Sequence, residues 1–234
     1  MSFPCAAVKL LPWLAAALCA AQAPAPVQFK TRDGWTIAGI YQTPRLGKPV
    51  AILIHGVGSS KNEWERIAPQ LWSLGLGTLA IDLRGHEKSA SGPRGPVHFR
   101  EFDAGGEWPR ATGDIEAALA FLKRRKIPAS RIGLIGASIG ANLASQAAQS
   151  QKELPWIILL SPGQDYRGVP AARLEGRRVL LAASRPDYYA FQTCARLASQ
   201  NGFAFLEARQ GHGAQMLDDP DFLRKFLDWI AEAR

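Results

Sequence analysis

Cysteine is scarce: there are three in 234 residues, and two of them, Cys5 and Cys19, lie among the first two dozen positions. Beyond position 23 only Cys194 remains, so the rest of the chain can form no internal disulfide and must be held by its apolar core. Long hydrophobic runs are missing too. The best candidate, residues 10–21, is interrupted by Pro12 and falls short of the ~20 residues that a bilayer span requires. Histidine is limited to four residues, none in a zinc-type spacing; His86, His98 and Glu101 are the nearest to a ligand set, and no metal is expected. Although the formal net charge is +8, no five basic residues are consecutive and no basic stripe is interleaved with aromatics, which argues against a nucleic-acid groove. The excess of positive charge is read as solubility and long-range attraction of anions. Repeats, low-complexity tracts and an internal linker are likewise lacking. What is present is an ordinary globular composition, 47% hydrophobic and 21% charged, sufficient for one core.

The opening residues differ from the rest. Lys9 supplies a weak positive charge, residues 10–21 are apolar, and Ala21-Gln22-Ala23 matches a small-x-small cleavage pattern. Residues 1–23 are therefore read as a signal peptide and residues 24–234 as one domain, with the mature protein secreted or periplasmic. Alternatives are an uncleaved tethering helix and, since the residues before Cys19 lack the usual upstream leucine, a less favoured lipoprotein.

After position 23 short strands alternate with amphipathic helices. Residues 27–30 and 35–41, joined by Arg32-Asp33-Gly34, read as a hairpin. Residues 49–54, 77–81, 132–135, 156–160 and 178–182 are continuous apolar runs, the pattern of parallel strands covered on both faces. Residues 62–74, 114–125, 141–149, 188–201 and 220–233 carry apolar side chains at three-and-four spacing and read as helices. The fold class expected is α/β: a single doubly wound, mostly parallel sheet with helices on both faces. In such a sheet chemistry gathers at the carboxyl ends of the strands.

Four of those ends carry polar or glycine-rich signals. Gly136-Ala137-Ser138-Ile139-Gly140 follows an apolar strand and precedes a small-residue helix; this spacing suits a tight elbow, where a side chain on either glycine would clash. The elbow raises the Ser138 hydroxyl above the sheet, and the helix start offers the Ile139 N–H as an oxyanion donor. A serine hydroxyl needs a base, and the base an orienting carboxylate. His212 in Gly211-His212-Gly213 follows the apolar run 203–206, and Asp187 follows the strand 178–182; Asp165 is the reserve acid. A nucleotide-binding turn is disfavoured, because Gly133, Gly136 and Gly140 do not form Gly-x-Gly-x-x-Gly and Gly56-Val57-Gly58-Ser59-Ser60-Lys61 lacks a glycine before the lysine.

With His55-Gly56-Val57-Gly58, Asp82-Leu83-Arg84-Gly85-His86, the Ser138 elbow, the Asp187 loop and Gly211-His212-Gly213 in this order, residues 30–234 resemble the α/β-hydrolase superfamily, particularly its small serine esterases and dienelactone-hydrolase-like members. The elbow residue is serine, where true dienelactone hydrolases resemble the pattern with cysteine. The resemblance implies catalytic Ser138, Asp187 and His212, an oxyanion hole from the backbone N–H groups of Val57 and Ile139, structural roles for His55 and His86, and no cofactor. Asp82 is expected to anchor Arg84. A minimal cap follows from the short connection 161–177, and Phe99, Phe102 and Trp108 in the longer stretch 87–112 are read either as pocket lining or as packing beneath the loop. The expected activity is hydrolysis of small-molecule carboxylic esters through an acyl-enzyme, with no nucleic-acid partner and no stable membrane insertion after signal cleavage. A serine peptidase or amidase on the same fold, a non-catalytic binding protein and a basic protein adhering to anionic polymers are the alternatives.

Overall fold

The computed structural model describes residues 23–104 and 106–233; the expected signal segment, with Cys5 and Cys19, lies almost wholly outside the described residues. The main sheet has eight strands: β1 (Ala25–Lys30), β2 (Thr36–Gln42), β3 (Val50–Ile54), β4 (Gly77–Ile81), β5 (Ile132–Ala137), β6 (Ile157–Leu160), β7 (Val179–Ser184) and β8 (Ala204–Ala208). Their spatial order is β1-β2-β4-β3-β5-β6-β7-β8. β1 pairs antiparallel with β2, and β2 antiparallel with β4; every other neighbouring pair is parallel.

Every residue of β3, β4, β5, β6 and β7 is buried, which is why their sequences are unbroken apolar runs and not alternating ones. β1 and β8, at the sheet edges, expose part of their length. Helices α2 (Thr112–Arg124), α3 (Ile139–Ser150) and α4 (Tyr188–Asn201) cover one face through residues such as Leu122, Leu143 and Cys194. Helices α1 (Ala68–Ser73) and α5 (Pro220–Glu232) cover the other through Leu71, Phe222, Phe226 and Ile230. In α5 those three side chains recur every four residues, and burying each contributes about 1.5–3 kcal/mol. The Asp219 carboxylate accepts the N–H groups of Asp221 and Phe222 at its start, and Pro220 occupies the first turn.

The helix expected over 62–74 is two pieces, a single 3₁₀ turn at Lys61–Trp64 and then α1. Pro69 accounts for the break. It has no N–H to give and its ring would strike the carbonyl four residues earlier, so it can stand only in the first turn of a new helix. A second adjustment concerns α3, which begins at Ile139 directly after Ser138, not at residue 141.

The chain passes from β3 out to β4 and returns across β3 to β5, so the direction of winding reverses there. Register aligns the carboxyl ends along one edge: Ile54 lies beside Gly136, Ala137 beside Leu160, Leu160 beside Ala182, and Ser184 beside Ala208. The loops bearing His55, Ser138, Ser161, Asp187 and His212 all leave from this edge. Among the described residues no helix is long and apolar enough to cross a membrane.

Candidate active site

Ser138 joins β5 to α3 with φ 56° and ψ −125°, a conformation rare for a residue with a side chain and held here by close packing around it. The two elbow glycines are required sterically. A Cβ on Gly136 would lie 2.2 Å from the Gly140 carbonyl oxygen, and one on Gly140 would lie 2.4 Å from the Ile54 carbonyl oxygen. The Ser138 N–H donates to the Leu160 carbonyl at 2.8 Å, and its carbonyl accepts the Ala141 N–H at 2.9 Å. As the first residue of α3, Ile139 has no helical acceptor for its own N–H.

His212 and Asp187 meet across the β7 and β8 loops, with imidazole Nδ1 at 2.7 Å from Asp187 Oδ2. The imidazole is 42% exposed and the carboxylate 16%. Two hydroxyls hold this pair's loops. Ser161 Oγ accepts the Gly213 N–H at 2.9 Å, and Ser184 Oγ donates to the Gly211 carbonyl at 2.7 Å, so the residues on both sides of His212 are fixed to strand ends. Gly213 in turn packs on the elbow: a Cβ there would be 3.2 Å from Ala137 Cβ and 3.7 Å from Ser138 N. The His212 N–H and the Gln215 side chain close the start of the following turn at 3.2 Å. Tyr166 faces the imidazole with ring centroids 6.5 Å apart; burial, and then the Asp187 charge, push its phenol well above the usual range, so it stays protonated.

Asp165 takes no part in this pairing. Its carboxylate accepts the Gly168 N–H at 2.8 Å within the two-residue hairpin formed by Asp165–Tyr166 and Val169–Pro170.

On the opposite side the loop after β3 approaches the elbow. A Cβ on Gly56 would sit 3.1 Å from Ser138 Cβ, so a side chain there would push against the nucleophile. The neighbours of Val57 are engaged: the Gly56 N–H donates to Glu63 Oε2 at 3.0 Å, the Gly58 N–H to His86 Nε2 at 3.4 Å, and the Ser59 N–H to the Gly56 carbonyl at 3.2 Å. Val57 is 37% exposed and lies between them. His55 is fully buried; it donates from Nδ1 to the Gly56 carbonyl at 2.7 Å and accepts the Leu83 N–H on Nε2 at 2.9 Å. Burial and the neighbouring His86 push its pKa down to about 3, so it is a neutral strut. His86 stacks on Phe99 at 4.1 Å between centroids and is held by the Arg84 carbonyl at 2.9 Å. Burial shifts its pKa down as well.

Asp82 does not anchor Arg84. Its carboxylate takes the Lys61 backbone N–H at 2.8 Å and the Lys61 ammonium at 2.7 Å, tying the loop after β3 to the end of β4. Arg84, fully buried, pairs instead with Asp114 on α2, with Asp33 in the β1–β2 turn and with Glu107. Asp82 and Arg84 both lie beyond Ile81, the last residue of β4, with Arg84 in the following turn, so strand periodicity no longer sets where their side chains go. Of the three aromatics after position 87, Phe102 and Trp108 are buried in the core, and only Phe99 reaches the loop, 3.6 Å from where a Gly58 Cβ would lie. Cys194 is buried, and burial, with Asp187 nearby, raises its thiol far above the reactive range. Among the described residues no group of three or more His, Cys, Asp or Glu side chains is arranged to hold a metal ion.

Ser161, Ser184 and Glu63 are the site residues that the sequence alone does not single out. The two serines directly end or follow apolar strands, a weak signal at the expected edge; Glu63 sat inside what read as a helix and gave none.

Several known proteins resemble the chain. An esterase of Pyrococcus furiosus superposes with a TM-score of 0.68 at 19% identity over 90% of this chain and 91% of that one. A dienelactone hydrolase of Anabaena variabilis gives 0.65 at 18% identity over 89% and 95%. An alpha/beta hydrolase of Novosphingobium aromaticivorans gives 0.68 at 16% identity over 90% and 99%. At these identities the likeness is one of fold. A polyketide transferase of Stachybotrys chlorohalonatus is 25% identical over 150 residues, 63% of this chain, and the chain spans 47% of that relative's length. The model of the alpha/beta hydrolase family matches residues 51–234, which take in the elbow, the Asp187 and His212 loops and the last helix. With that match over most of its length, on a sheet of this order, the chain belongs to the alpha/beta hydrolase family.

Proposed function

We propose that the protein is a serine hydrolase that cleaves carboxylic esters of small to medium substrates through an acyl-enzyme intermediate. The observation that carries this reading is the 2.7 Å Asp187–His212 contact on a loop whose next residue, Gly213, packs on the Ser138 elbow. In the first half-reaction Ser138 Oγ bonds to the carbonyl carbon while its proton passes to His212 Nε2. Asp187 keeps Nδ1 protonated and stabilises the imidazolium. The oxyanion is received by the N–H groups of Val57 and Ile139, each such donor being worth about 3–4 kcal/mol of barrier. Collapse of the tetrahedral species expels the alkoxide, which takes the proton from His212; water then repeats the sequence on the acyl group and frees Ser138.

The restriction to small and medium esters draws on residues 161–177, which hold only a two-residue hairpin and no cap. Export to the periplasm or medium after cleavage near Ala23 is part of the proposal, supported by the pattern of residues 9–23. N-terminal sequencing of the secreted protein tests it, and a start at Met1 would contradict it.

Turnover of p-nitrophenyl esters of graded acyl length, compared with aminoacyl p-nitroanilides, tests the main reading. Esters are expected to be cleaved with the higher kcat/KM, and Ser138→Ala to lose about 10⁴-fold or more. Preference for the anilides would make it an amidase, and activity retained by Ser138→Ala would overturn the mechanism.

A further inference from the structure

Taking Ser138 as nucleophile and His212 as its base, we propose that Glu63 is a positioning residue of the same reaction. Its carboxylate fixes the oxyanion loop through the Gly56 N–H.

Glu63 has little freedom to do anything else. It stands in the 3₁₀ turn Lys61–Trp64, which is fastened on both sides of it: Lys61 by the bonds to Asp82, Trp64 by complete burial. Ser60 caps the turn by accepting the Asn62 N–H at 3.2 Å. The Glu63 side chain accordingly points back over the loop it follows, accepting the Gly56 N–H at 3.0 Å.

Two peptide planes flank Gly56, and both are pinned. The plane before it carries the N–H given to Glu63. The plane after it has its carbonyl held by His55 Nδ1 at 2.7 Å and by the Ser59 N–H at 3.2 Å. That second plane bears the Val57 N–H, which in a trans peptide must point away from the pinned carbonyl. Gly56 also presses on Ser138, where a Cβ would come within 3.1 Å of the serine's own Cβ. Loss of the Glu63 bond would thus release the plane next to the proposed donor at the point of closest approach to the nucleophile.

The carboxylate is costly where it is. Burial raises its pKa; the Gly56 N–H, Ser59 and the charge interaction with His212 work against that rise and favour the anion.

Glu63→Gln and Glu63→Ala test this in the purified protein, with Ser138→Ala alongside. Glutamine keeps an acceptor for the Gly56 N–H, and its kcat is expected to stay within about threefold of wild type. Alanine removes the acceptor, and kcat is expected to fall about 10- to 100-fold with KM within about threefold, because the oxyanion is bound only in the transition state. A fall of about tenfold or more in the kcat of a folded Glu63→Gln overturns the proposal even if the alanine variant fails to fold; so does wild-type kcat in a folded Glu63→Ala. If Ser138→Ala is inactive while both Glu63 variants behave as wild type, the inference about Glu63 fails and the serine mechanism stands. If Ser138→Ala keeps its turnover, both fail.

Discussion

The two sides of the candidate site are built on different principles. On the side of β3 and β4, polar groups are buried and neutralised in place: His55, Asp82 and Arg84 are all fully covered, each with two or more partners. On the side of β7 and β8, Asp187 and His212 stay partly open to solvent, and what is buried is their support, the hydroxyls of Ser161 and Ser184. In the proposed mechanism the first side presents backbone N–H groups, which must not move while charge develops beside them, and the second a side chain that gains and gives up a proton, which requires contact with substrate and water. A rigid donor wall facing a titratable one is the division of labour that acyl transfer needs.

Substitutions can break this contrast from either side. Asp187→Asn, which keeps the shape and removes the charge that selects the imidazole tautomer, is expected to lower kcat about 10³- to 10⁴-fold in steady-state ester hydrolysis with little loss of stability. Asp165→Asn, measured in parallel, should stay within about twofold. Arg84→Met acts on the other side, leaving Asp114 buried without its counter-charge; urea unfolding should show about 3–5 kcal/mol less stability, while the folded fraction keeps a near wild-type kcat. Equal effects of these two changes on kcat would erase the distinction drawn between the sides.

The histidines sharpen it. With a pKa pushed down to about 3, the folded His55 stays neutral where the unfolded chain's imidazole, near 6.5, takes up a proton. A depressed base favours folding above its unfolded pKa, and that contribution is lost as pH falls from about 6.5 toward 3. By pH 4.5 this single group should have removed about 2–3 kcal/mol. In an NMR titration the His55 ring resonances are expected to stay constant from pH 8 to 4.5; a His55 titrating near neutrality would contradict the assignment. The smallest effect is expected from Ser161→Ala, which leaves the buried Gly213 N–H without its acceptor: about 1–3 kcal/mol in stability, with a loss in kcat larger than any change in KM.

Much of the fold could be read directly. Strands β3 to β7 announce themselves because burial on both faces leaves few polar positions, and α4 spans residues 188–201 as its three-and-four spacing predicts. The region 61–74 misled because its apolar spacing runs through Pro69, which the backbone cannot place inside a helix. Partners distant in sequence were harder to foresee. Charge allows Asp82 to pair with either Arg84 or Lys61, and nothing in the order of residues chooses between them, since the choice is made by how the turn after β4 carries Arg84 toward Asp114. The elbow at Ser138 was legible because it needs glycines at fixed offsets, whereas Ser161, Ser184 and Glu63 act through single hydrogen bonds that impose no pattern.

The account depends above all on the Ser138 hydroxyl being activated by His212, and covalent capture tests that most directly. Reaction of the purified protein with a fluorophosphonate, followed by peptide mass mapping, should place one adduct on Ser138. Labelling should be lost in Ser138→Ala and slowed at least about 100-fold in His212→Ala. An adduct elsewhere, or equal labelling of wild type and Ser138→Ala, would contradict it.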